Sequence, residues 1–303
     1  MKYFLGIDTS NYTTSCAVTD ENGRVVVNSK RLLPVAKGEK GLRQSDAVFN
    51  HIKALPEVVG AVGQREIACV GYSAYPRDTE GSYMPCFLVG KALAESAASL
   101  FGVDCFKFSH QRGHIRAALY SAGKEDLIGK EYLAFHVSGG TTELLHCKNH
   151  EIVPVGRSLD ISAGQAIDRV GVMLGLDFPC GKYLEERALK AEKAPRVKIC
   201  VRNGESNLSG IENLAAKMLK DGVAPEIIAL YTLNFVKETV IKTVKDAFEK
   251  TGELPVIFAG GVMSNRLIRK DIANCCEAYF SEPEFSSDNA AGVSLLAYDK
   301  YGR

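Results

Sequence analysis

Short blocks of apolar residues, separated by turn-forming residues, run along the whole chain. Residues 4–18 read FLGIDTSNYTTSCAV, two apolar runs around a small polar turn, which is typical of a β-hairpin. The same arrangement returns at residues 132–147, YLAFHVSGGTTELLHC, and a Thr-Thr pair follows both turns. Because each hairpin stands near the head of one half of the chain, the repeat predicts two related halves.

The remaining blocks alternate between the spacing of strands and the spacing of helices. Further strands are predicted at residues 25–33, 67–74, 104–108 and 256–259, and helices at 42–62, 84–101, 110–122, 160–176, 209–219, 225–250 and 289–300. This alternation predicts an α/β fold. The polar stretch 123–130 predicts a boundary between an N-terminal domain, residues 1–125, and a C-terminal domain, residues 126–303.

The composition is that of a globular protein. Of the 303 residues, 46% are hydrophobic and 24% are charged. No apolar run reaches the roughly 18 residues that a membrane helix needs, and the first residues do not form a signal peptide, so we expect a cytoplasmic protein without a membrane partner. The nine cysteines include no C-x-x-C pair and are expected to be reduced. The net charge of +1 excludes a uniformly basic surface but allows a local basic patch.

Two histidines on one predicted helix are the sharpest candidates for metal chemistry. His110 and His114 are spaced i, i+4 after the N-cap candidate Ser109, so their imidazoles stand on one helix face and can share an ion. Two unrelated histidines are the simpler explanation of this spacing. Because Arg112 lies between them, there is no H-E-x-x-H motif, which argues against a metalloprotease. Asp288 is a candidate third ligand, and an ordinary cap of the last helix is its alternative role.

Small-residue turns supply candidate sites for a nucleotide. Gly260 and Gly261, between a strand and a helix, allow the backbone to lie against a ring or a phosphate. Asn265 stands in the helical turn that follows and is a candidate partner of a sugar or base, while Asp168 is a candidate partner of ribose hydroxyls. A tight structural turn and a solvated carboxylate are the alternatives. The first hairpin contributes three candidates for phosphate contact: Asp8, Thr9 and Ser10.

A basic segment lies at residues 182–202, with seven cations against three acidic residues. Its cations are Lys182, Arg187, Lys190, Lys193, Arg196, Lys198 and Arg202. Such a surplus favours contact with the phosphate backbone of a nucleic acid. A solvated helix face is the alternative explanation.

Seven motifs, taken in order along the chain, resemble one family. They read GIDTSNYTTS, HQRGH, HVSGGTTEL, DISAGQAIDRVGVMLGLDFPCG, NLSG, FAGGVMSNRLIR and SSDNAAG. Together they resemble the glycoprotease-like family, long labelled O-sialoglycoprotein endopeptidase, which includes the catalytic subunit of tRNA threonylcarbamoyladenosine synthase. The resemblance extends from near Gly6 to near Gly292. It implies the actin-like ATPase (ASKHA) fold, with two duplicated domains around a nucleotide cleft.

The resemblance also implies roles for individual residues. The ligands of one divalent metal ion, iron or zinc, would be His110, His114 and Asp288. An adenine nucleotide, threonylcarbamoyl-AMP or ATP, would be bound by His136, Val137, Ser138, Gly139, Gly140, Asp168, Gly181 and Asn265. The implied reaction transfers a threonylcarbamoyl group from its AMP adduct to the exocyclic amine of an adenine in tRNA. The metal would act as a Lewis acid on the transferred group. The implied partners are tRNA, through the basic segment, an actin-like paralogue and small ATPase subunits of a modification complex.

Some positions depart from the usual residues of the family. Acidic residues are usual at the positions of Tyr12, Thr13, Arg112 and Gln165, and His or Asn is usual at the position of Thr141. These departures indicate a diverged paralogue, which leaves its transfer activity and its acceptor open.

Three hypotheses remain at this point. The first is a metal-dependent carbamoyl-type transferase, acting on tRNA or on a different acceptor. The second is a non-catalytic actin-like partner subunit, which keeps the fold without the metal. The third is a small-molecule kinase on the same fold, for which Asp8 is the one candidate base in the first hairpin.

Overall fold

The computed structural model describes residues 1–10, 12–34, 42–149 and 151–302. The strands are β1 (Tyr3–Asp8), β2 (Thr13–Asp20), β3 (Val25–Leu32), β4 (Ile67–Tyr75), β5 (Asp104–Ser109), β6 (Tyr132–Val137), β7 (Thr142–Lys148), β8 (Glu151–Ser158), β9 (Val201–Arg202), β10 (Glu205–Ser206), β11 (Val256–Ala259) and β12 (Ala278–Phe280). The helices are α1 (Gln44–Gly60), α2 (Phe87–Phe101), α3 (His110–Ser121), α4 (Ala163–Met173), α5 (Gly181–Ala188), α6 (Gly210–Lys220), α7 (Pro225–Thr251), α8 (Arg266–Ala273), α9 (Pro283–Ser286) and α10 (Ala291–Tyr301).

The chain divides into two compact units. Unit 1 comprises Met1–Ser121 and Glu284–Arg303, and unit 2 comprises Ala122–Pro283. The division differs from the predicted one, residues 1–125 and 126–303, because the C-terminal helix belongs to unit 1. The expectation that Asp288 would come from the C-terminal domain was therefore wrong, since Asp288 and the histidine pair share unit 1.

The two units contain the same five-stranded arrangement. In unit 1 the strand order is β3-β2-β1-β4-β5, and the sheet of unit 2 includes β8-β7-β6-β11-β12. In each sheet the first three strands of the unit form an antiparallel meander, and two later strands extend the sheet in parallel. The repeated order confirms the α/β class and the relation between the two halves that the hairpins predicted.

In unit 1 the sheet is covered on both faces, which is why β1 is apolar along its length rather than alternating. Leu5 and Ile7 pack with buried residues of α1 and α2. Phe4, on the other face, packs with Ala297 of α10.

A glycine lets α10 lie directly on β1. A Cβ atom at Gly6 would stand 2.4 Å from the backbone nitrogen of Ser294 and 2.6 Å from the carbonyl oxygen of Ala290. No other residue fits such an approach, so the first strand and the last helix, far apart in sequence, form one packing layer. This contact explains why residues 284–303 join unit 1.

In unit 2 the core lies between the sheet and a layer of helices around α7. Leu133 and Phe135 of β6 belong to the same buried cluster as Val236 and Val240 of α7. The helix begins with Pro225 in its first turn and ends at Gly252, whose φ of 75° suits glycine. Within the described ranges, no helix has the length and apolar character required to cross a membrane.

Several elements of unit 2 differ from the sequence-based expectation, among them α5, β9, β10 and β12, which were not predicted. The helix predicted at residues 160–176 is the shorter α4, because Asp160 accepts hydrogen bonds from the amides of Leu208 and Ser209 instead of joining the helix. Strand β8 was not predicted. Its Pro154 lowers the strand signal and pairs with Leu145 next to a register shift.

Candidate functional site

Three side chains of unit 1 bring metal-ligand atoms together. The Nε2 atoms of His110 and His114 are 2.8 Å apart, and Oδ1 of Asp288 lies 3.2 Å from the His114 Nε2 and 3.6 Å from the His110 Nε2. Ligand atoms at about 2.0–2.1 Å from a tetrahedral ion are separated by roughly 3.4 Å. The two imidazoles and the carboxylate therefore fit one divalent ion after small side-chain adjustments, and the donor set of nitrogen and oxygen suits iron or zinc. Asp288 does not cap the last helix, which begins at Ala291.

A glycine contact sets the distance between the two helices that flank this cluster. A Cβ atom at Gly292 of α10 would stand 1.8 Å from the carbonyl oxygen of Gly113 of α3. A Cβ atom at Gly113 would stand 3.1 Å from Cγ2 of Val293. The backbones meet next to both histidines, so the carboxylate of Asp288, a few residues before α10, comes within reach of the imidazoles.

Asp8 orients one of the two imidazoles. Its Oδ2 accepts a hydrogen bond from Nδ1 of His110 at 2.8 Å and another from the hydroxyl of Ser73, and its Oδ1 accepts one from the amide of Ser10 at 2.7 Å. A carboxylate on Nδ1 fixes the tautomer that leaves Nε2 facing the ligand cluster. Asp8 is only 1% exposed, so this carboxylate is engaged and not available as a kinase base. The geometry argues against the kinase hypothesis.

The histidine and the carboxylates of the cluster shift one another's pKa values towards the charged forms. Burial lowers the pKa of His110, but the charge of Asp8 and hydrogen bonds with Asp288 and Asp8 outweigh it and raise that pKa to about 10. Burial raises the pKa of Asp288 and of Asp8, and their interactions with the histidines more than offset it, so both carboxyl pKa values lie below the ordinary range. The raised pKa of His110 favours its protonated form in the ion-free cluster, and a divalent cation that binds there competes with this proton.

Arg112, between the two histidines in sequence, pairs with an acidic residue of unit 1. Its Nε lies 2.5 Å from Oδ2 of Asp78, and both side chains remain partly exposed. Gln165, a second departure from the family pattern, serves as the N3 residue of the capping box of α4, with its side chain accepting from the Ser162 amide. Both positions therefore have a structural role in this chain.

The second hairpin presents an open turn in unit 2. The amide of Ser138 donates to the carbonyl oxygen of Thr141 at 2.8 Å, and the Ser138 hydroxyl accepts from the amides of Thr141 and Gly140 at 3.1 and 3.3 Å. Cβ atoms at Gly139 and Gly140 would meet nothing within 4 Å. The turn is shaped by its own serine, and both glycines leave room for a ligand against the backbone.

The end of β6 is joined to the second glycine turn. His136 pairs with Ala259 in the parallel register, and Val137 is buried in the core. The next residue after β11, Gly260, has φ of 102°, and a Cβ atom there would stand 2.2 Å from the carbonyl oxygen of Val137. The structure thus brings the Ser138–Gly140 turn and the Gly260 turn to the same end of neighbouring strands.

Of the other three residues expected at the nucleotide, Asp168 and Asn265 accept hydrogen bonds from backbone amides. Oδ1 of Asp168 accepts from the amide of Cys180 at 2.8 Å, directly before Gly181, the first residue of α5. Burial raises the pKa of Asp168, and the bond from Cys180 opposes this only in part. Asn265 was expected inside the helix and instead caps α8, its Oδ1 accepting from the amide of Ile268 at 3.1 Å.

Sequence reasoning missed two functional aspects of unit 1. Ser73 holds the Asp8 carboxylate, but a serine inside an apolar strand gives no signal of its own. Asp8 was expected at a phosphate, whereas it contacts His110. The available sequence signals were an aspartate at the end of an apolar strand and, separately, a helix that carries a histidine pair. The two come together only because β4 pairs with both β1 and β5.

The fold and the repeated hairpins define an actin-like ATPase fold. Component A of the (R)-2-hydroxyglutaryl-CoA dehydratase of Acidaminococcus fermentans shares it, with a TM-score of 0.60 and 18% identity over 100% of both chains. Full-length HypF, in its phosphate- and nucleotide-bound form, matches with a TM-score of 0.59 and 13% identity over 99% of this chain and 55% of that one. At these identities the similarity is one of fold.

The family follows from the sequence. Residues 52–295 match the family model of TsaD, tRNA N6-adenosine threonylcarbamoyltransferase, and the chain belongs to this family. A relative from Thermoplasma acidophilum, described as a probable bifunctional tRNA threonylcarbamoyladenosine biosynthesis protein, is 26% identical over 308 residues. The alignment covers 97% of this chain and 56% of the relative, so the chain spans little more than half the length of that protein.

Proposed function

We propose that this chain transfers a threonylcarbamoyl group from threonylcarbamoyl-AMP to the exocyclic amine of an adenine in tRNA. The single observation that carries the proposal is the convergence of the His110, His114 and Asp288 ligand atoms within 4.8 Å of one another, in a chain of this family. The reaction breaks the bond between the carbamoyl carbon and the phosphate oxygen of AMP and forms a bond to the amine nitrogen, which loses a proton.

In this proposal the metal site belongs to unit 1. His110, His114 and Asp288 hold one iron or zinc ion, which supplies a Lewis acid for the carbonyl of the transferred group when it is bound. Asp8 keeps the Nδ1 proton on His110, so that Nε2 is available as a ligand. Burial of Asp8 keeps water from competing for this bond.

The adenylate is proposed to bind at the glycine turns. The open turn His136, Val137, Ser138, Gly139 and Gly140 contacts the phosphate side. Asp168, Gly181 and Asn265 contact the nucleoside. In unit 1, the phosphate hairpin of Asp8, Thr9 and Ser10 is proposed to contact phosphate through Thr9 and Ser10, because the Asp8 carboxylate is bonded to His110 and Ser73. The nucleotide-bound form of HypF, which shares the fold, supports a nucleotide as the ligand class.

tRNA is the proposed macromolecular partner, and the basic segment 182–202 is the proposed contact. Lys182, Lys190, Lys193, Arg196 and Lys198 are exposed on α5 and the segment after it. Reversing Lys190, Lys193 and Arg196 to Glu is expected to weaken tRNA binding and to reduce its dependence on salt. Glu substitutions at the exposed Lys217, Lys220 and Lys245, elsewhere on unit 2, are the charge-matched control. An actin-like paralogue, small ATPase subunits and a cytoplasmic location complete the proposal.

The second candidate is a transferase with another acceptor or a non-catalytic partner subunit. The Arg112–Asp78 ion pair favours it, because a cation paired with an acid stands where the family has an acidic residue. With another acceptor, the metal site and the fold persist, but tRNA does not stimulate release of AMP. As a non-catalytic partner subunit, the chain keeps the fold without the metal.

The test combines purified chain, threonylcarbamoyl-AMP and unmodified tRNA, with the companion proteins of the modification system added in a parallel reaction. AMP release and mass analysis of the tRNA nucleosides are the readouts. His110→Ala and Asp288→Ala should abolish transfer, whereas His146→Ala, which removes a histidine paired with Glu131 on the surface of unit 2, should retain it. AMP release without tRNA modification would mean that water took the transferred group, which would support an acceptor other than tRNA as the natural one. No release from a metal-loaded wild type would overturn the transferase proposal.

A further inference from the structure

The side chain of Asn289 spans the loop that carries the Asp288 carboxylate. It is 5% exposed. Its Nδ2 donates to the carbonyl oxygen of Ser287 at 2.6 Å and to that of Phe285 at 3.2 Å, and its Oδ1 accepts from the amide of Ala291 at 3.0 Å. Both polar atoms of one buried amide are therefore bonded to the backbone on the two sides of Asp288.

A second contact holds the same loop from its outer side. Nζ of Lys30, on β3, donates to the carbonyl oxygen of Glu284 and to the hydroxyl of Ser287, each at 2.9 Å. Since Lys30 is exposed, this contact is screened by water and is the weaker of the two. The loop between α9 and α10 thus depends mainly on Asn289 for its shape.

We propose that Asn289 is a positioning residue for Asp288, and this rests on the metal site proposed above. A ligand is useful only when it is held within about 0.5 Å of its productive position, which packing and hydrogen bonds around it provide. Asn289 is not itself a ligand, because both polar atoms of its side-chain amide are hydrogen-bonded to the loop backbone. By holding the loop, it fixes the position of the Asp288 backbone and therefore the position of Oδ1 relative to the two imidazoles.

Binding of Co²⁺ to the full chain tests the proposal through its visible absorption and through competition with Zn²⁺. Asn289→Ala removes all three hydrogen bonds and is expected to weaken binding by about 10- to 100-fold and to alter the Co²⁺ spectrum. Asn289→Ser keeps an oxygen that can accept from the Ala291 amide but is too short to reach the Phe285 carbonyl. It should recover much of the stability lost in Asn289→Ala without recovering the affinity for the ion.

Asp20→Ala is the matched control. Asp20 is also buried in unit 1, and its Oδ1 accepts from the amides of Asn22 and Arg24 at 2.9 Å, but it lies at the opposite end of β2 from the metal cluster. This variant should lose stability and bind Co²⁺ as the wild type does. Wild-type affinity in Asn289→Ala, or an equal loss of affinity in Asp20→Ala, would overturn the positioning role while leaving the metal site in place. No binding of Co²⁺ by the wild type would overturn both.

Discussion

Gly292 of α10 lies so close to Gly113 of α3 that a Cβ atom on Gly292 would stand 1.8 Å from the Gly113 carbonyl oxygen. Gly113 directly precedes His114, and Gly292 lies four residues after Asp288. The approach of two backbones without side chains therefore accounts for a ligand set drawn from distant parts of the sequence.

Gly292→Ala tests this relationship. The added methyl group must push α10 away from α3, which we expect to lower the free energy of unfolding by about 1–3 kcal/mol and to weaken metal binding. Gly302→Ala, at the other end of α10, is the control, because its Cβ would meet only the Tyr298 carbonyl oxygen, at 3.8 Å. Urea unfolding and Zn²⁺ titration give the two readouts. Equal behaviour of the two variants would contradict the role of the glycine contact.

Asp8→Asn tests the orientation of His110. The amide cannot replace the carboxylate as a charged acceptor for Nδ1, so the affinity for Zn²⁺ should fall by about 10- to 100-fold. Ser73→Ala removes a different hydrogen bond to the same oxygen and leaves the His110 contact intact, so its effect should be clearly smaller. Competition with a chromophoric chelator measures both constants. Similar losses in the two variants would mean that Asp8 acts only through general packing.

Ser10→Ala separates ligand binding from folding. Within the described ranges, the Ser10 hydroxyl is buried and has no hydrogen-bond partner, so its removal should leave the free energy of unfolding unchanged or raise it slightly. If the hydroxyl contacts the nucleotide, affinity for a non-hydrolysable ATP analogue should fall by about five- to tenfold.

Ser15→Ala is the control for Ser10→Ala, because the Ser15 hydroxyl is buried in the same hairpin and donates to the Asp8 carbonyl oxygen. It should reduce stability and leave nucleotide affinity unchanged. A Ser10 variant that loses stability and keeps its nucleotide affinity would remove Ser10 from the phosphate hairpin.

Asp160 predicts a dependence of stability on pH. Partial burial raises its pKa, but hydrogen bonds from Ser209, Leu208 and Ile161 lower it to about 2, against an ordinary value of 3.8. A carboxyl with a lowered pKa in the folded state stabilises the protein fully above its unfolded value, and that stability is lost as the pH falls from about 4 to about 2. Asp160→Asn should lower the free energy of unfolding by about 1 kcal/mol at pH 7, a small effect because water screens the exposed carboxylate. The variant should also lose less stability than the wild type as the pH falls from about 4 to about 2. The free energy of unfolding is measured with urea at several pH values. The same dependence on pH in Asp160→Asn as in the wild type would contradict the assignment.

Local sequence patterns predicted most of the fold. The apolar runs on both sides of each small polar turn predicted both hairpins. Pro225 and Gly252 predicted the start and the end of α7. β8 was missed because Pro154 and polar residues weaken its pattern, although a register shift accommodates the proline in the sheet. The place of α10 was also missed. It depends on the contact of Gly6 with Ser294, which has no local signature.

The site was predicted only in part. The i, i+4 spacing put His110 and His114 on one face of a helix. Asp288 was only a candidate third ligand, because its spacing favoured a helix cap, and the family resemblance then implied its role as a ligand. The helix begins later, at Ala291, and this frees Asp288 for the histidines. The contributions of Asp8 and Asn289 depend on tertiary contacts, between β1 and α3 and within the loop before α10.

The metal content of the purified chain is the most direct test of the account. We predict one iron or zinc ion per wild-type chain and per His146→Ala chain, and loss of that ion in His110→Ala and in Asp288→Ala. A wild-type chain that remains metal-free after exposure to both ions, or a His110→Ala chain that keeps a full equivalent, would contradict it.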